Sequence, residues 1–140
     1  GDVLLGSCYA GTAIDNCGTA IAHNISHALA GLAPVHHGFA TALGFEATLG
    51  WLVEADTADL TAAAQACGLQ SARDLPAFVT DLMNRCGIER KLPAAFAAFT
   101  AADLARQMRA AENQPMRNST IREVTDADVD RIADAIMALK

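Results

Sequence analysis

Apolar positions recur at three- and four-residue spacings along most of the chain, and no run alternates long enough to predict a strand. The stripes are clearest in the second half. Leu75, Phe78, Val79, Leu82 and Met83 fall on one helix face, as do Val129, Ile132, Ala133 and Ile136, and both sets read as core. Helix starts are marked by hydroxyl residues. Ser71, Thr100 and Thr125 each stand three positions before an aspartate: Asp74, Asp103 and Asp128. That spacing resembles a capping box with Asp in place of the usual Glu, and it puts negative charge at the positive end of the helix. Thr57 predicts a further helix start, with an end near Gly68. The helix from residue 72 is expected to stop at Cys86-Gly87, where glycine accepts the left-handed cap. Pro34, Pro76, Pro93 and Pro115 fit loops or first turns, and Glu112–Val124 reads as an irregular loop. The expectation is an all-α helical bundle forming one domain over residues 1–140.

The first third differs. From Gly1 to Val53 there is no Lys or Arg and only three carboxylates, Asp2, Asp15 and Glu46, while the rest holds all ten basic and thirteen of the sixteen acidic residues. A helix with a solvated face normally shows it as charge. Segments 3–15, 18–31 and 38–53 are therefore expected to be buried on most sides. A domain of 140 residues can hardly surround three such helices from its own remainder. The pattern, and its opening at Val3-Leu4-Leu5, predicts that further protein covers them and that the chain is a fragment.

Composition sharpens this only slightly. Hydrophobic residues make up 52% of the chain and aromatics 5%, with abundant Ala, which favours helix over sheet. The net charge of −6 argues against a broad nucleic-acid or anionic-membrane surface. Asp15, Asn16, His23, Asn24 and His27 interrupt the one region that approaches the roughly 20 apolar residues of a membrane span. No basic-flanked leader is visible, so a soluble cytoplasmic protein is expected. Cys8, Cys17, Cys67 and Cys86 form no C-x-x-C pair and read as small buried residues of a reduced protein.

The candidate chemistry is histidine. All four histidines lie between positions 23 and 37. His23 and His27 stand four apart, hence on one helix face, and His36-His37 follow at the turn into the next helix. Neutral imidazole is the commonest nitrogen ligand for iron and zinc, so the cluster predicts a metal site. The His23/His27 spacing imitates an H-E-x-x-H helix, but Asn24 stands where that motif carries its general base. Spacing alone leaves open which histidines bind. Two imidazoles are also fewer than the three or more protein ligands a site takes, and only Cys17 is a nearby addition.

The string H-x-x-x-H-x-L, then H-G with nine residues between its histidine and the second one, resembles the signature of the iron-containing, group III alcohol dehydrogenases. Gly11-Thr-Ala-Ile-Asp-Asn16 is similar to that family's G-x-[AG]-[FI]-x-N segment, and Ile121–Asp126 resembles the segment before its last helix. The resemblance spans essentially the whole chain and implies most of the dehydroquinate-synthase-like, C-terminal helical domain. It implies that His23 and His37 are metal ligands. It casts His27 as a non-ligand that faces nicotinamide and substrate, in a catalytic and cofactor-binding role. The implied cofactors are Fe2+, with Zn2+ the other candidate, and NAD or NADP. The implied partners are a small alcohol or aldehyde, a Rossmann-like domain absent from these residues, and a second copy in a homodimer. An Asp and a further His ligand are expected upstream of Gly1, so residues 1–140 alone should be inactive. Three departures stand out: His36 replaces the usual Pro, Ala30 the usual Gly, and Gly44–Leu52 diverges near the cleft. Within that stretch Glu46 is a candidate cleft carboxylate, or a capped or solvated one at a helix end. The competing expectation is a stand-alone helical metal-binding or protein-docking module without enzymatic activity.

Overall fold

A computed structural model describes all 140 residues, and it is all-helical, with no strand. The helices are α1 (Asp2–Cys17), α2 (Ile21–Leu32), α3 (His37–Leu52), α4 (Ala58–Ala66), α5 (Leu75–Arg85), α6 (Ala101–Met108), α7 (Gln114–Asn118) and α8 (Asp126–Met137). The predicted punctuation stands where these helices begin and end, except that Ser71 caps the 3-10 turn Ala72–Asp74 from which α5 continues. Ser71/Asp74, Thr100/Asp103 and Thr125/Asp128 each form both halves of a capping box. The Thr57 side chain accepts from the Leu60 amide at the start of α4. Gly68 and Gly87 take positive φ just past α4 and α5.

α2 is the hub. Its face carrying Ile21, Ile25, Ala28 and Leu29 is fully buried against α3 and α6, and α6 in turn packs on α8. Val129, Ile132, Ala133 and Ile136 of α8 are buried as their stripe predicts. Phe96, in a short 3-10 stretch before α6, fills the same core. Leu49, Val53, Ala64, Ala72 and Leu75 make a smaller core beneath α4. Asn24 is completely buried, and its Nδ2 donates to the carbonyls of Met108 and Asn113, each at 3.0 Å. Those bonds satisfy the last carbonyl of α6 and fix the rotation of α2 about its axis.

Four expectations are corrected. α1 buries no residue: Val3, Leu4, Leu5, Tyr9 and Ile14 are all exposed, because nothing within these 140 residues packs over that helix. Of the α5 stripe, Leu75 and Met83 are buried but Phe78 and Leu82 lie at the surface, since α5 meets the body along one narrow edge. All four cysteines are free and exposed rather than buried. Residues 111–118 form a 3-10 turn and the short α7 instead of an irregular loop, with Pro115 in the first turn of α7. No helix is long and apolar enough to cross a membrane.

Candidate metal centre

With Ile21, Ile25, Ala28 and Leu29 committed to the core, His23 and His27 are left on the outward side of α2. His23 is half-buried and His27 exposed. The chain then turns through extended backbone at Ala33 and His36, with Pro34 between them, and enters α3 at His37. That tight return brings the first residue of α3 alongside the histidine face of α2. The His23 and His37 ring centroids are 5.3 Å apart, and those of His27 and His37 are 5.8 Å apart and nearly perpendicular.

His23 and His37 border an open cleft of about 480 Å3 whose other walls are Ile14, Thr41, Ala42 and Phe45. No carboxylate lines it. Burial, and after it the neighbouring His37 and His27, hold the His23 imidazolium pKa below its ordinary value, so the ring is biased to the neutral form that can ligate a metal. Ser26, one turn along from His23, is completely buried and places its Oγ 3.0 Å from His37 Nδ1. Ser26, Thr41 and Phe45 were not singled out by the sequence reading. The available signal was their register: Ser26 is three residues from His23, and Thr41 and Phe45 lie one and two turns beyond His37.

Two imidazoles that bind one ion with metal–nitrogen bonds of about 2.1 Å have ring centroids roughly 5 Å apart. The His23/His37 pair fits that requirement. The donor set is incomplete: no group of three or more His, Cys, Asp or Glu side chains is arranged to hold an ion. The structure brings His23, His27 and His37 together, and leaves His36 exposed at the N-terminus of α3, its ring against Gly38. Glu46 is neither a free cleft carboxylate nor a helix-end group. It sits within α3, where Arg90 Nε and Nη2 grip its two oxygens at 2.9 and 2.8 Å and Thr80 Oγ1 adds a bond of 2.8 Å. Hydrogen bonds from Arg90, opposed by partial burial and reinforced by Thr80, hold its carboxyl below the ordinary range.

Residues 1–137 match the Fe-containing alcohol dehydrogenase family, C-terminal. No curated protein and no solved structure matches the chain.

Proposed function

The chain belongs to the Fe-containing alcohol dehydrogenase family, and from that premise we propose that it forms the metal-binding helical part of an NAD(P)-dependent alcohol dehydrogenase. The observation that carries the reading is the His23/His37 pair, from two helices, at a ligating separation on an apolar-walled cleft. A divalent cation held there, iron or alternatively zinc, supplies a Lewis acid that lowers the pKa of the substrate hydroxyl and polarises the carbonyl of the product. Ile14, Ala42 and Phe45 give that open cleft an apolar lining on which the substrate carbon would rest. His27, at the exposed rim beside His37, would orient the nicotinamide ring or pass the hydroxyl proton outward, and the bound NAD(P) would supply the hydride acceptor.

Two imidazoles do not complete a site, so the remaining ligands and the nucleotide-binding fold would come from protein outside residues 1–140. Residues 1–140 alone are then expected to bind Fe2+ weakly and to give no NAD-dependent turnover. The test is anaerobic Fe2+ binding to the protein and to its His23→Ala and His37→Ala variants. Losing a direct ligand should cost at least the ~100-fold that outer-sphere changes reach. Unchanged affinity in both variants would overturn the metal assignment.

A second reading rests on α1. Its exposed Val3, Leu4, Leu5 and Tyr9 make an apolar surface of the kind that marks protein contacts, which favours a docking or dimerising helical module. Self-association without any metal dependence, and no alcohol-dependent reduction of NAD in the intact protein, would favour that reading over the enzyme.

A further inference from the structure

Ser26 has two neighbours for its one hydroxyl hydrogen. Its Oγ lies 3.0 Å from His37 Nδ1 and 3.3 Å from the His37 carbonyl oxygen. That carbonyl also accepts from Thr41 Oγ1 at 2.9 Å and, like any carbonyl, offers only lone pairs. If Ser26 gave its hydrogen to Nδ1, its completely buried oxygen would face the carbonyl oxygen at 3.3 Å with no hydrogen between them. If Ser26 donates to the carbonyl, a lone pair of Oγ faces Nδ1, and both contacts become hydrogen bonds once Nδ1 carries the ring hydrogen. Only this second arrangement makes hydrogen bonds of both Ser26 contacts. It leaves Nε2, on the far edge of the ring, as the one nitrogen of His37 with a free lone pair.

We propose that Ser26 is the positioning residue of the metal centre, fixing His37 in the Nδ1–H tautomer so that Nε2 is its ligating atom. The inference rests on the metal-site reading above. Ser26 and His23 are three residues apart on α2, so one helix supplies a ligand and also sets the ring of the other. A ligand histidine whose second ring N–H donates to a fixed acceptor has a defined orientation and greater basicity. Here the acceptor is a hydroxyl, itself oriented by the backbone carbonyl of the same histidine.

The test has two parts. Long-range 1H–15N correlation in the metal-free protein reads the His37 tautomer directly. A protonated Nδ1 in the wild type, giving way to a tautomer mixture in Ser26→Ala, is the expected result, and a wild-type ring protonated at Nε2 overturns the proposal. Titration with Co2+, followed by its visible absorption, should show affinity falling by roughly 10-fold in Ser26→Ala. Equal Co2+ affinity in Ser26→Ala and wild type also overturns it. If His23→Ala and His37→Ala bind Co2+ as well as the wild type, the metal reading fails instead, while the metal-free spectrum still decides what Ser26 does to the ring.

Discussion

Gly44 of α3 presses against the backbone of Ala22 in α2, so that a Cβ at Gly44 would lie 3.0 Å from the Ala22 carbonyl oxygen. It would also lie 3.2 Å from Ile25 Cβ. Ala22 adjoins His23, and Gly44 is two turns beyond His37, so this contact sets how near the two histidine-bearing helices come. Gly44→Ala gains about 1 kcal/mol of helix propensity but adds overpacking that costs ~1–3 kcal/mol, against backbone that cannot swing aside. We expect a net loss on the order of 1 kcal/mol, a fall of a few degrees in the unfolding midpoint, and weaker Co2+ binding. Gly44→Val should be worse on both counts. Calorimetry and metal titration check this, and unchanged values in both variants would show that α2 and α3 separate freely.

Glu46 is the carboxylate nearest in sequence to the histidines on their C-terminal side, and it is the obvious candidate for a missing ligand. Its bonds to Arg90 and Thr80 argue otherwise. Glu46→Gln should lower the unfolding midpoint by loosening α3 from α5 and the Arg90 segment, yet leave Fe2+ or Co2+ affinity unchanged. A loss of affinity comparable to that of His23→Ala would instead place Glu46 on the metal.

What the sequence made legible was local. The three hydroxyl–aspartate boxes, the glycine stops and the i, i+4 histidines depend on residues within one turn of each other, and each is where the spacing puts it. The predicted burial of α1, Phe78 and Leu82 failed for one reason: an apolar stripe says that a face wants cover, not that these 140 residues supply it. The pairings that shape the site join distant positions. Ser26 meets His37, and Arg90 reaches back to Glu46. Arg122 donates to Glu54 while its guanidinium lies 4.7 Å over the Trp51 ring. Charge sign and periodicity could not select those partners, because many others were equally compatible until the helices were packed.

Because α1 buries nothing, its apolar residues contribute little to the stability of the rest. Leu4→Ser should leave the unfolding midpoint unchanged, whereas Ile25→Ala, in the fully buried face of α2, should cost about 2–5 kcal/mol. The thiols give an independent check. Cys8, Cys17, Cys67 and Cys86 should all react with a thiol reagent in the native protein. If a second copy or another domain covers α1, Cys8 and Cys17 become slow while Cys67 and Cys86 stay fast. Uniform slowness of all four would contradict the exposure seen here.

Below about pH 4 acid should act through the helix caps. Asp103 accepts from the Thr100 amide and hydroxyl and from Arg106, and these bonds, the backbone one foremost, bring its carboxyl down to about 2. Asp128 is brought to about 2 in the same way, chiefly by the Thr125 hydroxyl and then by Arg131. Both carboxyls titrate near 3.9 once the chain unfolds. Their contribution is therefore complete above about pH 4 and is lost as pH falls toward 2, where the folded state must also take up protons. Replacing both aspartates with asparagine should flatten the stability–pH curve over that interval, measured by denaturant unfolding at fixed ionic strength. Thr125→Ala removes the cap hydroxyl and should cost about 1 kcal/mol at neutral pH, and it should move the Asp128 carboxyl back toward its ordinary value. If the double asparagine variant keeps the wild-type acid slope, the pH dependence arises elsewhere and the caps contribute only as neutral hydrogen-bonding groups.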